Sequence, residues 1–77
     1  MKTLQVLGTG CPKCAALADN ARRAVAELGA DCQVVKIESL AEIMAFGVML
    51  TPALAVDGEV RASGKVLSVD EIKALLS

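Results

Sequence analysis

The segment Cys11-Pro12-Lys13-Cys14 decides both the fold and the chemistry expected of this chain. It follows an apolar stretch, residues 4–7, that is typical of a strand, and it precedes a stretch with helical periodicity. Two thiols at this spacing can close a disulfide within one helical turn. A sulfur at a helix N-terminus meets unsatisfied N–H groups and the positive end of the helix dipole, which favour the thiolate. Because thiolates attack disulfides, the segment indicates thiol–disulfide exchange.

Length and composition favour a chemical role for this pair over a structural one. The chain has 77 residues, is 55% hydrophobic and contains a single aromatic side chain, Phe46. We expect one domain over residues 1–77, with a core of Leu, Val, Ile and Ala. Small domains often need a covalent staple. A bridge between Cys11 and Cys14 would be a weak one, about 2 kcal/mol, because the shortest loops give the least stabilisation in the chain-entropy model.

Charge and cysteine usage exclude several other classes of protein. Eight basic and nine acidic residues give a net charge of −1, which argues against general nucleic-acid binding. The apolar stretches are too short to span a bilayer, and the N-terminal residues lack the pattern of a signal peptide. Three cysteines, an odd number, fit a reducing compartment better than a secreted disulfide framework. We therefore expect a cytoplasmic monomer that binds neither nucleic acid nor membrane.

Hydrophobic periodicity predicts four strands and three helices in the order βαβαββα. The expected strands span residues 2–7, 32–37, 53–56 and 59–62. Pro12 suits the first position of the first helix, and Gly29 is expected to end it. The inward face of that helix should consist of Leu17, Ala21, Ala24, Val25 and Leu28.

Short local signals predict the elements in the second half of the chain. Ser39 with Glu42, and Ser68 with Glu71, have the spacing of capping boxes at helix starts. The Asp-Gly dipeptide at residues 57–58 predicts a tight turn in an antiparallel hairpin. The first βαβ unit should be parallel, with a right-handed crossover. Together these signals predict an α/β fold with a four-stranded mixed sheet and helices on both faces.

The order of elements, the Cys-Pro-Lys-Cys segment and the Thr51-Pro52 dipeptide before the third strand resemble the thioredoxin fold. The resemblance covers the whole chain and is strongest to small archaeal and bacterial thioredoxin-like proteins, the redox-active disulfide proteins. It implies a minimal form of the fold that starts, as glutaredoxins do, at the strand before the cysteines. It also implies a thiol–disulfide oxidoreductase, an enzyme that carries electrons between dithiols and disulfides without a bound cofactor or metal.

The resemblance implies a role for each residue of the site. Cys11 would attack a disulfide-containing protein, Cys14 would resolve the mixed disulfide, and Pro52 would be a cis-proline that faces them. Thr51 would offer backbone groups to an extended substrate. Lys13 either favours the thiolate or is simply solvated. An upstream dithiol or reductase would reset the pair.

Two departures from the larger families bear on the reductant and the substrate. Gly10 stands before Cys11, where thioredoxins usually carry tryptophan. The Gly-Gly segment with which glutaredoxins bind glutathione is replaced by residues 62–65, Ala-Ser-Gly-Lys. Apolar residues 48–50 are expected to form a rim for a protein substrate. Met44 and Phe46 are interpreted as core or rim filler.

Alternative interpretations use the same two sulfurs or the third cysteine. A structural zinc site needs four ligands, and the chain has no histidine and only one further cysteine, Cys32. Two thiolates can hold Cu(I), so a carrier of Cu(I) or another soft metal is the runner-up. That carrier fold runs βαββαβ and ends on a strand. Cys32 itself is expected to be a small buried hydrophobe, with a regulatory thiol as the alternative.

Overall fold

The computed structural model describes residues 2–9, 12–29 and 31–76 of the chain. Its elements are, in order, β1 (Lys2–Leu7), α1 (Pro12–Leu28), β2 (Cys32–Ile37), α2 (Leu40–Ala45), β3 (Ala53–Val56), β4 (Glu59–Ser63) and α3 (Val69–Leu76). This is the predicted order βαβαββα. It differs from the order βαββαβ of the copper-carrier fold in the alternative interpretation.

The four strands form one mixed sheet in the order β2-β1-β3-β4. Strand β1 pairs with β2 in parallel and with β3 antiparallel, and β3 pairs with β4 antiparallel. Strand β2 lies at an edge, in agreement with its polar Gln33 and Lys36. The fold class predicted from the sequence, a minimal thioredoxin-like fold, is confirmed.

Side-chain alternation along β1 divides the core into two clusters, one on each face of the sheet. Leu4 and Val6 belong to the larger cluster, which packs against α1 and α3. Leu7 belongs to the smaller cluster, which packs against Ile43 of α2. Because successive strand residues point to opposite faces, β1 is buried on both sides and the helices cover both faces. Residues that are fully buried in the larger cluster include Leu4, Leu17, Ala18, Ala21, Ala24, Leu54 and Ile72.

The hairpin turn has the conformation that its dipeptide predicts. Asp57 and Gly58 both have positive φ, 51° and 84°, as a tight two-residue hairpin turn requires. The Asp57 side chain accepts a hydrogen bond from the Thr3 N–H (2.8 Å), and the Asp57 N–H donates to the Thr3 carbonyl (2.8 Å). The turn is therefore tied to β1 as well as to its own strands.

The two predicted capping boxes have different outcomes. At α3, the Ser68 hydroxyl accepts from the Glu71 N–H (3.1 Å), and the Glu71 carboxylate accepts from the Ser68 N–H (3.1 Å). The hydrogen bond from the Ser68 backbone lowers the pKa of Glu71, so its stabilising effect is lost as the pH falls through that lowered value. At α2 the prediction is wrong, because the Ser39 side chain makes no capping hydrogen bond.

Two smaller expectations also need correction. Leu28, predicted on the inward face of α1, is 42% exposed because the helix ends there, beyond the part of its surface that packs on the sheet. Strand β4 extends one residue further than predicted, to Ser63, which pairs with Ala53.

The contrast between the two serines gives a matched test of the helix caps. We expect Ser68→Ala to lower the free energy of unfolding by about 1 kcal/mol, because a reciprocal cap is lost. Ser39→Ala should change it very little, since that hydroxyl caps nothing. Urea denaturation of both variants measures the difference. Equal losses would contradict the assignment of a single working cap.

Candidate functional site

Cys14 lies in the first turn of α1 and is buried, with 6% of its surface exposed. Pro12 is the first residue of the helix, as predicted, and both Pro12 and Lys13 are exposed. Cys11, the predicted attacking thiol, lies outside the described residues, as does Gly10. The described half of the motif therefore presents one sulfur directed into the protein and two solvent-facing residues before it.

Gly8 is the residue against which this sulfur packs. It follows β1, is buried, and donates its N–H to the Ile37 carbonyl (3.0 Å), which continues the contact between β1 and β2. A Cβ atom at Gly8 would collide with the Cys14 Sγ and would lie 3.2 Å from the Cys14 Cβ. The same position lies 4.0 Å from the Pro52 Cα. The missing side chain therefore provides the space in which Cys14 and Pro52 approach each other.

Pro52 also lies beside the position that a Gly8 side chain would occupy. The Thr51–Pro52 peptide bond is cis, Pro52 is fully buried, and Thr51 is exposed. The Pro52 carbonyl accepts a hydrogen bond from the Gly64 N–H (2.9 Å), which fixes the proline just before β3 begins. The structure thus brings together the predicted residues Cys14 and Pro52, with Thr51 on the solvent side.

Sequence reasoning missed Gly8, although one signal for it exists. It is the glycine that ends the apolar stretch before the cysteine motif, and glycine is used where another group must come very close to the backbone. The sequence alone does not reveal which group that is, because Cys14 and Pro52 are far apart along the chain.

An apolar groove of about 530 Å³ borders the site. Thr9 and Thr51 line it next to the site, and its apolar lining along and after α2 includes Leu40, Met44 and Met49. The side chains of Met44 and Met49 are 67% and 94% exposed. Several exposed apolar side chains in one place are typical of a protein-interaction surface.

Of residues 48–50, predicted to form a rim for a protein substrate, two are exposed, and Val48 and Met49 line the groove. Met49 and Leu50 are largely exposed, whereas Val48 is 9% exposed and belongs to the smaller core cluster. Phe46 packs against the same cluster, so it is core filler, while Met44 lines the groove.

Cys32 lies at the other end of the sheet from Cys14. In the parallel pairing of β1 with β2, Cys32 is opposite Lys2, whereas Ile37 is opposite Leu7 at the site. Five steps along a strand separate the two ends by about 17 Å. Burial raises the pKa of the Cys32 thiol, which is half-buried against the larger core cluster. Cys32 is therefore separate from the site and has little thiolate character.

Two negative observations apply to the described ranges 2–9, 12–29 and 31–76. No group of three or more His, Cys, Asp or Glu side chains there could hold a metal ion. None of the helices in those ranges is both long and apolar enough to cross a membrane.

Comparison of the sequence with known proteins identifies the family of this chain. The model of a family described as "Thioredoxin domain" matches residues 2–77. The chain belongs to this thioredoxin family. It is 47% identical over 77 residues to a thioredoxin of Methanothermobacter thermautotrophicus, with both chains covered completely. It is also 42% identical over 73 residues to a thioredoxin of Methanocaldococcus jannaschii, covering 95% of this chain and 84% of that relative. Family membership makes the chain a thioredoxin-like redox protein.

The close approach at Gly8 can be tested with a single methyl group. We expect Gly8→Ala to lower the free energy of unfolding by about 1–3 kcal/mol, because the added carbon overpacks a buried site. Nuclear magnetic resonance spectra of the variant should show their largest shifts at Cys14 and Pro52.

Gly47→Ala is the matched control, because a Cβ there would meet nothing within 4 Å and only its positive φ of 78° opposes the change. That variant should lose about 1–2 kcal/mol through backbone strain alone. Its spectrum should leave Cys14 and Pro52 unshifted. A Gly8→Ala variant that is as stable as the wild type, with Cys14 unshifted, would contradict the packing described for the site.

Proposed function

We propose that this chain is a thiol–disulfide oxidoreductase that reduces protein disulfides through Cys11 and Cys14. The observation that carries the proposal is the placement of Cys14. Its sulfur lies buried at the start of α1, against Gly8 and beside Pro52, and an exposed apolar groove borders the same place. One buried sulfur next to a substrate-sized groove suits an enzyme with two thiols of different roles.

In the first step, the Cys11 thiolate attacks one sulfur of a substrate disulfide. A Cys11–substrate disulfide forms, the substrate S–S bond breaks, and the leaving sulfur departs as a thiolate that takes up a proton. Cys11 directly precedes the N-terminus of a long helix, whose unsatisfied N–H groups favour a thiolate. The exposed Lys13 ammonium adds positive charge nearby, and Pro12 fixes the first turn of the helix.

In the second step, Cys14 attacks the Cys11 sulfur of this mixed disulfide. Cys14 loses its proton, the Cys11–Cys14 bond forms and the bond to the substrate breaks, so the second substrate sulfur leaves as a thiolate that takes up a proton. Two electrons have then passed from the protein to the substrate. Burial of Cys14 keeps it from bulky external disulfides, while its spacing from Cys11 makes the internal attack effectively unimolecular.

The substrate class follows from the surroundings of the sulfurs. The groove presents the flexible thioethers of Met44 and Met49, which adapt to apolar side chains of different shapes. The exposed Thr51 offers backbone N–H and C=O groups with which an extended chain can pair as a strand does. An extended polypeptide with apolar residues near its disulfide fits both features better than a small polar disulfide does.

We propose that this reaction takes place in the cytoplasm, because the three cysteines are an odd number and a reducing compartment keeps thiols reduced. The protein would act as a monomer without a bound cofactor. An upstream dithiol or a reductase would return the Cys11–Cys14 bridge to two thiols. Glutathione is the less favoured reductant, since the Gly-Gly segment with which glutaredoxins bind it is absent from residues 62–65.

The order of the two steps predicts which variant accumulates a covalent intermediate. Cys14→Ser should trap mixed disulfides with protein substrates, because Cys11 still attacks and nothing resolves the product. Cys11→Ser should trap far fewer. Non-reducing electrophoresis with mass spectrometry of the adducts measures both variants.

Cys32→Ala serves as the control for this trapping experiment. Cys32 lies at the far end of the sheet, and burial raises its pKa, so its loss should leave reductase activity nearly unchanged. Equal trapping by the Cys11 and Cys14 variants would contradict the two-step scheme. A loss in Cys32→Ala as large as that in Cys11→Ser would contradict the assignment of a two-cysteine site.

The groove predicts a difference between large and small substrates. Met44→Gln combined with Met49→Gln should lower kcat/KM for a protein disulfide by about tenfold, which corresponds to about 1.4 kcal/mol of lost apolar contact. Activity on a small aromatic disulfide should stay within about twofold, because that molecule needs only the sulfurs. Leu28→Gln, an exposed apolar residue at the far end of α1, is the matched control. Equal losses on both substrates would show that the groove does not bind the polypeptide.

A further inference from the structure

Two side chains of the apolar groove can be changed from apolar to polar by a reaction at sulfur. Met44 and Met49 line the groove and are largely exposed. Leu40 is an exposed apolar neighbour in the same groove, but it has no group that reacts in this way. Oxidation turns a flexible apolar thioether into a polar sulfoxide. The groove therefore carries reactive sulfur on its solvent side, outside the cysteine motif.

The backbone that carries the two methionines is held by the core, so their exposure is part of the fold. Ile43 directly precedes Met44, Val48 directly precedes Met49, and both preceding residues are buried in the smaller core cluster. Between them the Gly47 N–H donates to the Met44 carbonyl (2.9 Å), and Gly47 has a φ of 78°. The chain turns there, which brings Met49 to the same groove as Met44. The structure thus fixes two backbone positions and leaves two thioethers facing solvent.

The position of Met49 joins the groove to the backbone that is proposed to pair with substrate. Met49 lies two residues before the exposed Thr51, and both line the groove. A polypeptide that pairs at Thr51 therefore covers the Met49 thioether with its own side chains. A sulfoxide oxygen in that place would lose its hydrogen bonds to water under an apolar side chain, which is unfavourable. In the free protein the same oxygen faces water, so the fold is not disturbed.

We propose that Met44 and Met49 form an oxidation site that regulates the groove: a peroxide converts their thioethers to sulfoxides and thereby weakens binding of the polypeptide substrate. The inference rests on the proposed function and adds a regulation of its substrate site. In each reaction the methionine sulfur takes one oxygen atom from the peroxide, the O–O bond breaks, and water is released when the oxidant is hydrogen peroxide. The sulfur loses two electrons and the peroxide gains two.

The cysteines can be kept out of this reaction. Once Cys11 and Cys14 are joined in a disulfide, neither has a thiol for the peroxide to oxidise. Cys32 is half-buried, and burial raises the pKa of its thiol, so little of the reactive thiolate is present. The bridged form of the protein therefore directs the peroxide to the exposed thioethers.

The experiment begins with the bridged protein. Hydrogen peroxide is added and removed, and peptide mapping by mass spectrometry locates the added oxygen atoms. A small dithiol then reopens the bridge, leaves the sulfoxides in place, and is removed in turn. The second-order rate constant for disulfide reduction is measured with a protein disulfide and with a small aromatic disulfide, with and without the peroxide treatment.

We expect both Met44 and Met49 to be oxidised, and the rate constant for the protein disulfide to fall by about tenfold. The rate constant for the small aromatic disulfide should stay within about twofold, because that molecule needs only the sulfurs of the cysteines. The oxidised wild-type protein should therefore behave as the untreated Met44→Gln/Met49→Gln variant does.

Met44→Leu combined with Met49→Leu is the matched control, because leucine preserves the apolar volume and has no sulfur to oxidise. This variant should start near the wild-type rate constant for the protein disulfide and should keep it after peroxide. It retains Met1 and Cys32, so any effect of oxidation at those residues would appear in it as well.

The possible failures of the two proposals can be told apart. Oxidised wild-type protein that reduces the protein disulfide at its original rate would overturn this inference and leave the proposed function intact. An equal loss in the leucine variant would do the same, as would methionines at 44 and 49 that resist peroxide while a free methionine peptide in the same solution is oxidised. Untreated wild-type protein that reduces neither disulfide would overturn the proposed function and, with it, this inference.

Discussion

Strand β1 is covered on both faces and paired on both edges, and the placement of the other elements depends on it. Its Leu4 and Val6 anchor the cluster with α1 and α3, while Leu7 anchors the cluster with α2. It pairs with β2 on one side and β3 on the other, so the residues that follow β1 are fixed relative to both neighbouring strands. The candidate site lies at that end, where Gly8 lacks the side-chain carbon that would collide with the Cys14 Sγ.

The close approach around Gly8 links the fold to the chemistry. Cys14 arrives from α1, Pro52 arrives from the segment before β3, and neither is near the other in sequence. The buried Cys14 sulfur is shielded from bulky external disulfides. Only two residues separate Cys14 from Cys11 along the chain. The burial of Cys14 is the observation on which its proposed role as the resolving thiol rests. The apolar groove borders this site through Thr9 and Thr51.

The sequence predicted the elements well because their signals are local. The positions of Pro12 and Gly29 gave the limits of α1, and the Asp57-Gly58 dipeptide gave the hairpin. The capping box at Ser39 was predicted wrongly, since the spacing of two residues does not determine whether the serine hydroxyl turns toward the helix. The same spacing at Ser68 does form a capping box, so the spacing allows a cap but does not by itself predict one.

The site was only partly predictable for a related reason. The cysteine motif and the Thr51-Pro52 dipeptide carry recognisable chemistry, so their residues could be selected from the sequence. The contact at Gly8 and the place of Met44 in the groove became visible only once α1 and α2 were placed around β1. Their participation depends on which face of a strand or helix meets Cys14, and that depends on tertiary packing.

The most direct test of the account is a redox titration of the wild-type protein. The protein is equilibrated in dithiol–disulfide buffers of graded potential, and its remaining thiols are then alkylated and mapped by mass spectrometry. The account predicts that Cys11 and Cys14 are lost together in one two-electron transition, about 30 mV for each tenfold change in the thiol–disulfide ratio. Cys32 should stay a thiol at every potential, so it should be alkylated in every sample once the protein is unfolded for labelling. Cys11 and Cys14 that stay reduced across the whole range, or that oxidise separately or with Cys32, would contradict the account.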